Sequence, residues 1–123
     1  MSNPKQVSIT IAESEVTVGQ DLHGTITINY IGRWDSVVIN SQIENSSDTF
    51  SYWELNSKKI KHPYARLSIF KTDLGGRTLV EFTATTKHVP TGDYSNVKFR
   101  VSIIQEHKEV ASDLAYTKIV KRD

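Results

Sequence analysis

The sequence predicts an all-β protein, a two-layer antiparallel immunoglobulin-like sandwich of about seven or eight strands. Short segments of alternating apolar and polar residues recur through most of the 123 residues. Turns rich in glycine and proline separate these segments at intervals of roughly 8–12 residues. No segment keeps a convincing helical period for more than about two turns. An alternating strand buries one face, so two such layers can enclose a core between them.

The clearest strand is predicted at residues 22–30, directly after the turn Gly19-Gln20-Asp21. Its two faces differ in polarity. One face carries Leu22, Gly24, Ile26, Ile28 and Tyr30, and the other carries His23, Thr25, Thr27 and Asn29. Strict alternation of this kind is typical of a strand with one side on a core and one in water.

Eight segments of similar character follow one another along the chain. We predict strands at residues 7–11, 22–30, 37–44, 49–55, 65–69, 78–85, 97–103 and 112–120. Residues 56–63 are expected to be irregular and basic, with Pro63 at a strand edge or start because it cannot donate a ladder hydrogen bond. The turn Asp73-Leu74-Gly75-Gly76 is expected to close a hairpin onto residues 78–85. The last strand has imperfect alternation, which indicates a bulge.

Length, charge and composition exclude several classes. The chain is long enough for one domain, residues 1–123, with its own core. It has no cysteine, which excludes disulfides and thiolate metal sites, and a net charge of +1, which provides no broad field for nucleic acid. No apolar run reaches the roughly 18 residues of a membrane span, and no signal peptide is visible. The expected location is cytoplasmic, or extracellular if the chain has been trimmed.

Two segments resemble a known family. The segment Gly19-Gln20-Asp21-Leu22-His23-Gly24-Thr25-Ile26 is similar to the entry to an early strand in arrestin-like proteins. The segment Val89-Pro90-Thr91-Gly92-Asp93-Tyr94, followed by Phe99 and Val101, is similar to their later Pro-x-Gly turn and apolar strand. The resemblance implies an immunoglobulin-like sandwich comparable to one lobe of an arrestin-like adaptor, and docking to protein tails.

No catalytic or metal-binding motif is present in the sequence. The four histidines, His23, His62, His88 and His107, show no ligand-pair spacing. No Gly-x-Ser-x-Gly elbow occurs, and Gly75-Gly76 lacks the lysine and helix of a phosphate loop. We therefore predict a protein that is not an enzyme and that needs no cofactor or metal.

The candidate partner-binding residues are aromatic and basic. Tyr52 and Trp53 are adjacent in a strand, so one is expected to face the core and the other to face outward. Trp34 either belongs to an interface or plugs one end of the sandwich. The basic cluster either contacts a partner or keeps a strand edge from pairing. The predicted site comprises Trp34, Tyr52, Trp53, Lys58, Lys59, Lys61, Tyr64 and Arg66.

These features lead to three functional hypotheses. The favoured one is a non-enzymatic, adaptor-like module that docks a protein partner through a strand edge or through the aromatic and basic patch at residues 52–66. The alternative is a structural, surface or assembly subunit that self-associates through edge strands. A metal-binding or hydrolytic domain is the least favoured.

Overall fold

A computed structural model describes residues 5–121 of the chain, with the side chains of residues 62–64 outside the described set. It confirms the predicted fold class, an all-β sandwich of two antiparallel sheets. The described part contains nine strands and one single-turn helix: β1 (Val7–Ile11), β2 (Leu22–Ile28), β3 (Ser36–Ile43), β4 (Ser51–Leu55), β5 (Lys58–Tyr64), β6 (Arg66–Phe70), α1 (Lys71–Leu74), β7 (Leu79–Thr85), β8 (Tyr94–Gln105) and β9 (Lys108–Val120).

The strands divide into two sheets that face each other across the core. Sheet I has five strands in the order β1-β2-β7-β4-β5, and sheet II has four in the order β6-β3-β8-β9. The predicted alternation accounts for the core, since inward residues of β2 and β8 such as Ile26 and Phe99 are fully buried. Phe99 packs against Phe50 and Phe82, and Tyr52 meets the Phe82 ring edge-on, so an aromatic cluster occupies the centre.

The segment that was expected to be irregular forms the edge strand β5. A two-residue turn at Asn56 and Ser57 joins β4 to β5, and both residues have positive φ, 48° and 69°. Hairpin turns of this kind need left-handed backbone at both positions, which the chain supplies here without glycine. Pro63 lies within this terminal strand, where a missing donor is tolerated.

The predicted hairpin between residues 65–69 and 78–85 was wrong. β6 pairs with β3 in sheet II, whereas β7 pairs with β2 and β4 in sheet I. The connection passes through α1, whose end is marked by Gly75 in the left-handed region and whose Leu74 is buried. A turn signal shows that the chain reverses direction, but it does not specify the sheet that the next strand joins.

The bulge expected within residues 112–120 of the last strand is not there, and the register shift of β9 lies before these residues. Ile103 pairs with Ala111 and Ile104 pairs with Glu109, so Val110 is the extra residue of a bulge. Beyond this point β9 alternates regularly, with Thr117 and Ile119 inward and Tyr116 outward. Its apolar residues lacked a common parity because some of them lie on the outer face.

One lateral side of the sandwich is closed by hydrogen bonds between the two sheets. The Ile9 N–H of β1 donates to Asp113 Oδ2 of β9 at 2.9 Å, and Lys5 Nζ lies 3.0 Å from Asp113 Oδ1. Val16 N–H donates to the Lys118 carbonyl, and Val120 N–H donates to the Val16 carbonyl. These bonds cover the outer edge of β9, so this side, which we call the sealed side, offers little free strand edge.

We expect Asp113→Asn to lower the free energy of unfolding at pH 7 by about 1–3 kcal/mol, because a charged acceptor of a backbone N–H is lost. Burial acts to raise the pKa of Asp113, but the Ile9 N–H and the Lys5 ammonium outweigh it and the pKa is lowered. A lowered folded pKa stabilises the fold above the unfolded value, and this stability is lost as the pH falls through the folded value.

Urea denaturation at pH 7 and in acid measures this effect. The difference between wild type and Asp113→Asn should shrink as the pH falls from the unfolded toward the lower folded pKa of Asp113, and should be lost below the folded value. Asp21→Asn, at an exposed position, is the matched control and should change stability little at either pH. A difference that stays constant across this range would contradict the assignment.

Candidate functional site

The opposite lateral side of the sandwich is open. There β5, the last strand of sheet I, lies across a cleft from β6 and α1. We call this cleft and its two bordering strands the open side. The cleft has a volume of about 370 Å³ and is lined by Leu55, Asn56, Lys58, Lys59, Ile60, Ser68, Ile69, Asp73, Leu74 and Arg77. Its floor is largely aliphatic and its rim is charged.

Positive charge dominates this rim. Lys58, Lys59 and Arg77 line the cleft with Asp73 as the single acid. Lys61 on β5 and Arg66 on β6 add two more exposed cations beside it. Within the described part of the chain, none of these five cations has a carboxylate within 4.0 Å. The open side therefore has a local positive field in a protein whose net charge is only +1.

The open side also has two strand edges. β5 pairs with β4 alone and β6 pairs with β3 alone, so each strand has one edge outside the ladder. The two strands are consecutive, and the chain passes from one sheet to the other at Ala65. An edge strand has unpaired N–H and C=O groups that can accept a further strand.

The structure divides the predicted partner-binding residues into separate groups. Lys58 and Lys59 line the cleft of the open side, and Lys61 and Arg66 lie on its two bordering strands. Tyr64 has its backbone in β5, opposite Tyr52, and its side chain is outside the described set. The three remaining aromatic residues lie elsewhere, so the predicted patch is not one continuous surface.

Two of these aromatic side chains are structural. Tyr52 is fully buried in the aromatic cluster, and burial raises the pKa of its hydroxyl far above the ordinary value, with a smaller opposing effect of Ser41. Trp34 is buried in the core, with Lys71 Nζ 5.3 Å from its ring centroid. Neither side chain is available to a partner.

Trp53 lies at a second concavity. Trp53 lies at a register shift in β4, because Tyr52 before it pairs with Ala84 and Glu54 after it pairs with Thr83, the adjacent residue of β7. The side chain is half-buried and lines a wide depression of about 710 Å³ with residues 47–49 and 85–88. The two adjacent side chains point to opposite faces, as predicted, and the structure shows that Tyr52 is the one that faces the core.

Beside this depression the structure brings together three residues that sequence reasoning did not connect. His88 Nδ1 lies 2.9 Å from Asp48 Oδ2, and His88 Nε2 lies 3.1 Å from Ser95 Oγ. The order of carboxylate, imidazole and hydroxyl is that of a hydrolytic triad. Residues so far apart in the chain have no shared periodicity or motif, so no sequence signal could have found them.

The rest of the geometry indicates a structural clasp. Ser95 is only 8% exposed and faces the core side of β8. The backbone groups of Lys118 and Val120 point toward Val16, so those of Ile119, between them, point toward β8. Ile119 is therefore hydrogen-bonded to its partner Ser95, and the Ser95 N–H is not free to stabilise an oxyanion. The Asp48 side chain is 61% exposed, and the hydrogen bond from His88 lowers its pKa. The cluster joins the loop at residues 45–48 to the loop at 86–93.

Among the described side chains, which exclude those of residues 62–64, no group of three or more His, Asp or Glu residues is placed to hold a metal ion. Over the same residues, no helix has the length and apolar character needed to cross a bilayer. His23 of β2 pairs with Glu13 in the connection between β1 and β2, with 2.6 Å between Nδ1 and Oε2. This hydrogen bond raises the pKa of His23.

Comparison with family models and with curated proteins gives no match. Solved structures do match over nearly the whole chain. The reeler domain of human F-spondin is 11% identical with a TM-score of 0.56, covering 96% of this chain and 93% of that one. A conjugative transposon lipoprotein from Bacteroides eggerthii is 9% identical with a TM-score of 0.51, covering 93% and 96%. These values show a shared β-sandwich fold.

An adhesin of enterotoxigenic E. coli is also similar, at 10% identity and a TM-score of 0.57, with 96% of this chain covering 49% of that one. None of these neighbours is arrestin-like, so the arrestin resemblance of the two turn segments was wrong. Those segments mark turns that lead into strands, and many β-sandwiches have such turns. The expected cytoplasmic location also has no support from these neighbours.

Proposed function

We propose that this chain is a non-catalytic surface or assembly module that holds an extended, acidic segment of another chain at its open side. The observation that carries the proposal is the contrast between the two lateral sides. Hydrogen bonds between the sheets close the β1–β9 side, whereas the β5–β6 side has two free strand edges and a cationic cleft. The adhesin, lipoprotein and reeler domains of similar fold support a role of this class outside the cytoplasm.

The positive charge of the open side determines which kind of partner this surface can bind. Strand addition of one β5 edge to the β5 edge of a second copy would bring the lysines of the two edges, Lys58, Lys59 and Lys61 of each copy, close together. Like charges directly opposite each other destabilise strand pairing, and lysines on an edge are a common defence against it. An acidic extended segment would instead gain backbone hydrogen bonds from β5 and ion pairs from the cleft rim.

An extended peptide of alternating Glu and Val, about the seven-residue length of β5, is a direct probe. We expect it to bind saturably in a fluorescence anisotropy titration, and to slow hydrogen exchange at the β5 amides. The double variant Lys58→Glu with Lys59→Glu should weaken binding by about tenfold or more. The matched control, Lys108→Glu with Lys121→Glu, makes the same charge change at exposed sites near the ends of β9 and should have little effect.

Equal losses in both double variants would show that only net charge matters and would contradict the proposed site. Binding of the same peptide with Lys in place of Glu would contradict the charge argument. Sedimentation velocity of the wild-type protein tests the alternative, in which the protein self-associates through its edge strands. Association that rises with protein concentration and disappears in the Lys58→Glu, Lys59→Glu variant would identify a second copy as the partner.

A further inference from the structure

The outer face of sheet II has exposed aromatic side chains that the open side does not use. Tyr94 on β8 is 52% exposed, and Tyr116 and Leu114 on β9 are 66% and 38% exposed. The remaining outward positions of this face are mostly polar, among them Asn40 and Gln42 on β3 and Asn96 on β8. Isolated aromatic rings on an amide-rich sheet are unlike the contiguous apolar patch of a protein or membrane interface.

A shallow groove crosses this face at Tyr116. Gln42 on β3, Lys98 on β8 and Tyr116 on β9 form one cross-strand row, because Gln42 pairs with Lys98 and Lys98 pairs with Tyr116. The groove has a volume of about 340 Å³ and is lined by this row together with Glu44, Asn96 and Val97. This volume lies at the small end of the roughly 300–1,000 Å³ range of small-molecule sites.

The polar groups of the groove are partly preorganised. Asn96 Nδ2 donates to Glu44 Oε2 at 2.7 Å, so this amide and carboxylate hold each other in place across β3 and β8. Glu44 Oε1 and the side-chain oxygen Oδ1 of Asn96 remain as acceptors, and the side-chain amide of Gln42 supplies both a donor and an acceptor. Such a set matches the hydroxyl groups of a sugar, each of which can donate and accept.

The cations of the groove indicate an acidic ligand. Lys98 is half-buried and has no carboxylate within 4.0 Å among the described residues. Lys118 is a diagonal neighbour of Lys98 across the β8–β9 pair, a relation in which long side chains can reach each other, and its Nζ lies 4.9 Å from the Tyr94 ring centroid. A half-buried ammonium without an ionic partner favours a carboxylate brought by a ligand.

We infer that this groove, formed by Gln42, Glu44, Asn96, Lys98 and Tyr116, binds a uronic-acid-containing glycan. The exposed Tyr116 ring would pack on the apolar C–H face of a pyranose ring. The amides and Glu44 would bind its hydroxyl groups, and Lys98 its carboxylate. Lys118 lies where the carboxylate of a neighbouring uronate residue could reach it. The inference does not depend on the open side.

Titration of the whole chain with a trigalacturonate, followed by heteronuclear NMR, tests the inference. We expect saturable shifts at the backbone amides of Gln42, Asn96, Lys98 and Tyr116. Tyr116→Ala should weaken binding by about tenfold, which corresponds to about 1.4 kcal/mol. Lys98→Gln should weaken binding of the trigalacturonate and remove the preference over a neutral galactose trisaccharide.

Leu114→Ala is the matched control, because Leu114 is exposed on the same face of β9 and does not line the groove. It should leave the affinity within about twofold, and thermal unfolding of each variant checks that the fold is retained. Equal loss in Leu114→Ala would overturn the inference, as would the absence of saturable binding at millimolar trigalacturonate. Equal affinity for the neutral trisaccharide, or tighter binding of sialyllactose than of trigalacturonate, would also overturn it.

Discussion

Replacing Tyr52 by alanine is expected to lower the free energy of unfolding by about 3–5 kcal/mol, the usual cost of truncating a large buried aromatic residue. Tyr52 is fully buried and meets the Phe82 ring edge-on at 5.4 Å between centroids. The alanine variant would leave a cavity where the two sheets meet at the aromatic cluster. Urea denaturation at neutral pH measures the change.

Tyr52→Phe is the matched control, and we expect it to raise the free energy of unfolding slightly or to leave it unchanged. The Tyr52 hydroxyl is buried and has no hydrogen-bond partner among the described residues. The Ser41 hydroxyl nearby accepts the Phe50 N–H. Removing an unsatisfied buried hydroxyl while keeping the ring should stabilise the fold by up to about 1 kcal/mol. A Tyr52→Phe variant as unstable as Tyr52→Ala would show that the hydroxyl, and not the ring, is important.

Gly24→Val is expected to be the second severe substitution. Gly24 lies in β2 facing the core, and the three nearest Phe82 ring atoms would all lie less than 3.0 Å from an added Cβ. Phe82 is itself packed against Tyr52 and Phe99, so its ring cannot move aside freely. Overpacking of this kind typically costs about 1–3 kcal/mol, and the rigid aromatic neighbours place this site at the upper end.

The control for Gly24→Val is Gly92→Val. Gly92 lies in a loop, where an added Cβ would have no atom within 4 Å, and its φ is outside the left-handed region. This variant should unfold within about 0.5 kcal/mol of the wild-type protein. Comparable destabilisation of the two variants in thermal or urea denaturation would contradict the close approach of Phe82 to Gly24.

The main elements of the fold could be predicted because alternation is a local property. The face of β2 that carries Ile26 and Ile28, and the face of β8 that carries Phe99 and Val101, are buried as their pattern indicated. The strand β5 was missed because lysines and a proline obscured its pattern. It is held by pairing with β4 across a two-residue turn. The hairpin expected at Gly75-Gly76 was wrong because sheet membership depends on contacts distant in sequence.

The candidate site was also predictable from the sequence only in part. The basic cluster of Lys58, Lys59 and Lys61 is visible in the sequence, and three-dimensional packing adds Arg77 to it across the cleft. Three of the four predicted aromatic side chains are not at the open side, because Tyr52 and Trp34 lie in the core and Trp53 lies at another concavity. Tyr94 precedes the predicted strand at residues 97–103, and the imperfect alternation of the last strand assigned Tyr116 to neither face, so the sequence did not indicate these two exposed rings.

By itself, the sequence determined which faces of the regularly alternating strands are buried and that the strands form two layers, because strand periodicity and hydrophobicity act over a few residues. Only the tertiary structure decided which strands form the edges of the sheets, which lateral side is closed, and which polar residues meet across loops. These depend on hydrogen bonds such as that from the Ile9 N–H to Asp113, between residues about a hundred positions apart. No local pattern encodes such pairs, because they form only when the two sheets pack together.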